Sequence, residues 1–170
     1  MKNYTKAGLI IILLGITTYL GASIKKSMLR KEQIAKTISQ MPAFSLSTIE
    51  GNVISESDLK GKKNIIIYFD VSCDFCQAEA IQVKENLNKL QNINILMVSK
   101  NTKPEIIKFR KDYGLNKENI QFLLDDKQTF LKSFGIAGQP SILLYDENEG
   151  LIKRIDGSIK MDTILKTLNK

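Results

Sequence analysis

Histidine is missing altogether from these 170 residues, and cysteine occurs only twice. Without imidazole there is no Ser-His-Asp or Cys-His catalysis, no histidine-ligated metal and no histidine pH switch. Two cysteines alone do not complete a structural zinc site, which takes four Cys or His ligands. No metal and no cofactor is therefore expected. The chain also lacks internal repeats and low-complexity segments. Its globular part has almost no excess of charge. The formal net charge is +7, but residues 1–41 hold seven of the 25 lysines and arginines and a single acid, Glu32, leaving residues 42–170 at about +1. Basicity thus flanks the N-terminal segment, and no nucleic-acid partner is expected for the rest.

What the chain does have is its two cysteines three positions apart. Cys73-Asp74-Phe75-Cys76 follows the apolar run Ile65-Ile66-Ile67-Tyr68-Phe69. A buried strand leading into C-x-x-C, with a helix opening on the motif, is the arrangement for a dithiol that cycles. The strand fixes the loop, and the helix start offers free N–H groups and partial positive charge to a thiolate. A static structural disulfide is the weaker reading, because a bridge across four residues constrains the unfolded chain little.

Ahead of this, Ala7 to Ile24 is an uncharged run bounded by Lys6 and Lys25. As a helix of eighteen residues it spans about 27 Å, close to a hydrocarbon core of about 30 Å. Residues 1–24 are therefore expected to form a retained signal anchor, a transmembrane helix, in preference to a cleaved signal peptide or a soluble core helix. Lys25, Lys26, Arg30 and Lys31 after the run would, by a plain positive-inside count, put the domain in the cytoplasm. A short basic tail before an N-terminal span suits an exported domain, and the extracytoplasmic (periplasmic) side is the expectation. Residues 25–41 read as a basic linker or helical extension, with Ile34, Ile38 and Met41 at helical spacing.

From Pro42 the pattern is that of one α/β domain with a mixed sheet flanked by helices. Strands are expected at Phe44–Ser47, Val53–Ile54, Ile65–Phe69, Ile93–Val98, Ile120–Leu124, Ser141–Tyr145 and Leu151–Ile155. A helix after the motif carries the apolar stripe Ala80, Val83, Leu87 and Leu90 and is expected to end near Gln91. Thr102 is a helix cap with Pro104 and Glu105 in the first turn, and Gly114 ends that helix. Gln128–Phe134 and Met161–Leu168 are the remaining helices.

Three stretches carry a resemblance. They are Pro42-Ala43-Phe44-Ser45-Leu46 with Asp58-Leu59-Lys60-Gly61-Lys62, then Tyr68 through Glu79 around the motif, then Gly135-Ile136-Ala137-Gly138-Gln139-Pro140-Ser141 before an apolar strand. Together they resemble the membrane-anchored TlpA/ResA-type branch of the thioredoxin-like superfamily, with residues 102–124 matching the helix and strand which that branch inserts. The resemblance implies a thioredoxin-like fold and a membrane-tethered thiol–disulfide oxidoreductase, a disulfide reductase acting on exported proteins. Cys73 would be the nucleophile and Cys76 the resolving thiol. Pro140 would be cis, and Gln139, Pro140, Asp74 and Phe75 would meet the substrate. Glu79 corresponds to a buried acid near the dithiol that would take the proton from Cys76; a solvated surface glutamate is the alternative. Partners implied are protein thiols and disulfides and a membrane electron donor.

The chain also departs from its relatives' pattern. Ser72 replaces a frequent tryptophan, Ile81 a helix-kinking proline, and Ile67 stands where thioredoxins carry an acid. Asp74 beside Cys73 opposes thiolate formation, which favours the disulfide and a reducing potential. Rival readings are a thiol peroxidase, which needs a Pro-x-x-x-Thr-x-x-Cys loop that Phe69-Asp70-Val71-Ser72 does not provide, and a non-catalytic binding module. A copper chaperone would want a wider cysteine spacing and a histidine.

Overall fold

A computed structural model describes residues 2–169, with side chains from residue 15 onward. The chain divides into a unit up to Lys36 and a second unit from Thr37. The first is the body of one long helix, α1 (Lys2–Ile38). Among the described residues no helix is long and apolar enough to cross a membrane. The anchor expected at Ala7–Ile24 falls partly outside them, since the side chains of 7–14 are not described.

The second unit is built on seven strands: β1 (Ser45–Thr48), β2 (Val53–Ser55), β3 (Lys63–Phe69), β4 (Ile93–Ser99), β5 (Ile120–Leu124), β6 (Ser141–Tyr145) and β7 (Leu151–Asp156). They form one mixed sheet in the order β2-β1-β5-β4-β3-β6-β7. β3, β4 and β5 run parallel, and the other pairs are antiparallel. Parallel neighbours need crossovers, and here these are helical: α2 (Asp74–Glu85) joins β3 to β4, and α3 (Lys103–Asp112) joins β4 to β5. The short α4 (Thr129–Ser133) precedes β6, and α5 (Met161–Leu168) ends the fold. This is the α/β sandwich that the alternating pattern implies.

The central strand β3 is buried at every position after Lys63, hence its unbroken apolar run in place of alternation. On one face Phe69, Phe122 and Ile142 of the sheet pack with Ala80 and Val83 of α2, Phe109 of α3 and Ile164 of α5. Elsewhere Tyr68 stacks on Phe130 at 6.3 Å, Phe130 on Phe134 at 3.8 Å, and Phe44 meets Phe130 edge-on at 5.3 Å.

Two boundaries differ from the sequence pattern. α2 stops at Glu85 and not near Gln91. Asn86 is its C-cap: its backbone N–H goes to the Val83 carbonyl, and its side-chain amide donates to the Gln82 carbonyl at 2.9 Å. The chain then tightens into a 3-10 turn, Leu87–Lys89, which still brings Leu87 and Leu90 to the core. The compact unit also begins before Pro42. Ile38 and Met41 are buried; the Tyr145 hydroxyl donates to the Ile38 carbonyl at 3.1 Å, and Leu151 N–H to the Ser39 carbonyl at 2.9 Å.

α3 begins as its sequence indicates. Thr102 and Glu105 form a capping box, with Thr102 N–H donating to the Glu105 carboxylate at 2.8 Å. α4 starts differently: its cap-position residue Gln128 is left-handed at φ 54° and offers no side-chain cap. The buried Asp125 at the end of β5 does that work from farther back. Its carboxylate accepts from Phe130 N–H and Leu131 N–H, both at 3.0 Å, and from the Tyr68 hydroxyl at 3.2 Å.

Candidate active site

β3 ends at Phe69, and the next three residues form a short pinned loop. Ser72 donates through its N–H and hydroxyl to Asp70 Oδ1 at 3.0 and 2.7 Å, and Cys73 N–H goes to the Asp70 carbonyl at 3.2 Å. Asn101, just past β4, accepts from Val71 N–H at 3.2 Å. Gln77 reaches back from α2 to the Val71 carbonyl at 3.1 Å. Partial burial pulls the Asp70 carboxyl upward, but the Ser72 hydrogen bonds and the Lys100 charge outweigh it and hold the group below its ordinary value. Cys73 is thereby fixed as the N-cap residue of α2, in extended conformation.

The two thiols are free and unequal. Cys73 is half-buried and Cys76, one turn into α2, has no exposed surface. Burial pushes the Cys76 thiol up to about 12, and the neighbouring Cys73 sulfur adds to the rise. Between them Asp74 is exposed and Phe75 is 68% exposed, an uncommon position for a phenylalanine with a folded core beside it. Asp74 lies in the first turn of α2, where a carboxylate favours the helix.

Across from the motif lies the loop before β6. The Gln139–Pro140 peptide is cis, and the Cys73 thiol faces the Gln139 carbonyl oxygen at 3.7 Å. Sixty-six residues of sequence separate the pair. The Pro140 carbonyl is taken by Gly157 N–H at 2.8 Å. The fold thus brings Cys73, Cys76, Gln139 and Pro140 together, with Asp74 and Phe75 at the rim.

Glu79 has no exposed surface, which answers the choice between a buried acid and a solvated one. It lies one turn after Cys76 on the inward face of α2. Its Oε2 accepts from Ser158 Oγ at 3.0 Å and from Ile159 N–H at 3.3 Å, while its Oε1 is buried and, among the described residues, has no hydrogen-bond partner. Burial raises its pKa, against the opposing pull of Ser158 and Ile159. The same burial makes its carboxylate a stronger base than a solvated one.

Asn101 and Ser158 were not apparent from sequence. They stand 30 and 79 residues from their partners, with no local pattern to mark them. Among the described residues no cluster of acids and cysteines could hold a metal ion. A polar cleft of about 570 Å3, lined by Lys63, Lys89, Asn88 and Glu147, lies at the opposite end of β3 and β4 from the dithiol.

Residues 38–155 match the model of the AhpC/TSA family. The thiol-disulfide oxidoreductase ResA of Geobacillus thermodenitrificans is 26% identical over 161 residues, which are 93% of this chain and 91% of that relative. The crystal structure of the exposed lipoprotein thioredoxin Etrx1 from Streptococcus pneumoniae superposes with a TM-score of 0.63 at 25% identity, covering 75% of this chain and 98% of that one. A secreted disulfide oxidoreductase of Mycobacterium tuberculosis superposes at 0.67 with 16% identity, covering 79% and 97%, a likeness of fold.

Proposed function

We propose, from the premise that this chain belongs to the AhpC/TSA family and is a thiol–disulfide oxidoreductase of the ResA type, that it reduces disulfides in exported proteins while tethered to a membrane by residues 7–24. The observation that carries the reading is the unequal pair of thiols facing a cis-proline loop, one half-exposed at a helix start and one wholly buried a turn further in.

In this reading Cys73 attacks, as thiolate, one sulfur of a protein disulfide. The substrate S–S bond breaks, a Cys73–substrate mixed disulfide forms, and the first substrate thiol leaves. The Gln139 backbone holds the incoming segment in strand-like pairing beside Pro140, and Phe75 with Asp74 meets what flanks the substrate cysteine. Cys76 must then lose a proton that its burial makes it hold tightly. Glu79, one turn on and buried on the same helix face, accepts it. The Cys76 thiolate attacks the Cys73 sulfur, the second substrate thiol is released, and the Cys73–Cys76 disulfide closes. Two electrons have passed to the substrate, and a membrane electron donor returns them to the dithiol.

The uncharged run between Lys6 and Lys25 supports the tether. An extracytoplasmic position suits a dithiol tethered for exported substrates. A C-terminal reporter active only outside the cytoplasm tests it, and a silent reporter overturns it. The reaction is tested by insulin reduction with dithiothreitol and by Cys76→Ser, which is expected to trap substrates on Cys73. Insulin left unreduced together with no trapped adduct would favour a binding module. Peroxide consumption would favour the peroxidase reading, which the sequence ahead of Cys73 opposes.

A further inference from the structure

The loop that presents Gln139 to Cys73 is tied at both of its ends to β7, and one ion pair makes both ties. In β7, Arg154 stands opposite Leu143 and Asp156 opposite Ser141 of β6. The Arg154 guanidinium donates to the Phe134 carbonyl at 3.2 Å and to the Gly135 carbonyl at 3.1 Å, where the chain leaves α4 and the loop begins. It also donates to Asp156 Oδ1 at 3.0 Å from both Nε and Nη2. That same oxygen accepts from the buried Ser141 hydroxyl at 2.9 Å, directly after Pro140. Gly157 N–H adds the bond to the Pro140 carbonyl.

An exposed Arg–Asp pair two residues apart on an edge strand normally contributes little. This one differs in what else it holds. Arg154 is 19% exposed, and its planar fork satisfies two carbonyls at a helix end while it orients the carboxylate that fastens Ser141. Between the two ties lie residues 136–140, which carry the carbonyl facing the nucleophile.

We propose that Arg154, acting through Asp156 and the 134–141 loop, is a positioning residue that sets the register of the Gln139 edge against protein substrates. The inference rests on the reading that this edge receives the substrate backbone. A small disulfide reagent needs only the Cys73 sulfur, whereas a protein disulfide needs the edge as well. Loosening the loop therefore separates the two substrates.

The test is steady-state insulin reduction by the full chain with dithiothreitol, beside the single-turnover rate at which the pre-reduced full chain reduces the small aromatic disulfide DTNB in stopped flow, for wild type, Arg154→Gln and Arg154→Lys. Arg154→Gln is expected to raise the insulin KM by about tenfold, with kcat and the DTNB rate changed less than about twofold. Arg154→Lys, which keeps the charge and loses the fork, is expected to restore only part of it. Parallel losses on both substrates, an unmoved insulin KM or full rescue by lysine would each overturn the proposal. If Arg154→Gln does not fold, Ser141→Ala cuts one tie alone and should raise the insulin KM by roughly threefold; an unchanged KM there overturns it equally. Wild type active on insulin beside an unaffected Arg154→Gln leaves the functional reading standing and removes only this inference. A wild type inactive on both disulfides removes both.

Discussion

Ser158 donates its hydroxyl to Glu79 Oε2 at 3.0 Å, joining the loop before α5 to the helix that carries the dithiol. The other carboxyl oxygen is buried with no hydrogen-bond partner among the described residues, and burial raises the pKa. A raised native value means that the folded chain binds the proton more tightly than the unfolded chain, whose glutamate ionises near about 4.3. The stability from this group is then complete below that pH and is lost as pH climbs through the native value. Glu79→Gln has no proton to lose. Urea denaturation from pH 4 to pH 8 should show wild type falling relative to the variant across that window. An unchanged difference would show Glu79 ionised in the folded state. In Glu79→Gln the mixed disulfide should also persist, its resolution slowed by about 10²-fold in quench experiments.

Cys76 gives a second pH test. With its thiol pushed up to about 12 by burial, it should resist alkylation when Cys73 reacts. Mass spectrometry of reduced protein treated with iodoacetamide at pH 8 is expected to show one adduct, on Cys73. Two adducts under native conditions would mean that the inner thiol is accessible.

Burial of Cys76 disfavours its thiolate and so favours the disulfide over the reduced pair. The Cys73–Cys76 potential, measured against glutathione, is expected closer to about −270 mV than to about −120 mV. Asp74→Lys should raise it, and a potential near the oxidising end in wild type would reverse the assigned direction.

Asp125 should matter for stability and not for chemistry. Asp125→Ala strands the Tyr68 hydroxyl and two backbone N–H groups of α4. A loss of about 2–4 kcal/mol in denaturant unfolding is expected, against about 1 kcal/mol for Tyr68→Phe, which removes a single donor. The single-turnover DTNB rate should be little changed in both.

The strands were legible because β3, β4 and β5 are apolar runs bounded by turns, and the motif because two cysteines three apart need no tertiary information. The end of α2 is not legible in sequence, since Leu87 and Leu90 reach the core from a 3-10 turn at nearly helical spacing, and Asn86 gives no strong stop. Glu79 could be placed on the face of Cys76 by counting one turn. Its partner Ser158 could not, because pairing across the fold is set by how α5 docks. Arg154 and Asp156 carry no mark in sequence, since two opposite charges two apart on an edge strand ordinarily face solvent. Only the return of the chain from α4 turns them inward to carbonyls and to Ser141.

The segment from Ile38 to Met41 has a practical side. A soluble fragment cut at Pro42, where the globular pattern starts, would strip the Tyr145 hydroxyl of the Ile38 carbonyl and leave Leu151 N–H and the Glu149 carbonyl without Ser39 and Met41. It would also remove the bridge of Gln40 to Gly150 at the turn between β6 and β7. Fragments for assay or crystallisation are better begun at or before Thr37, where the compact unit starts.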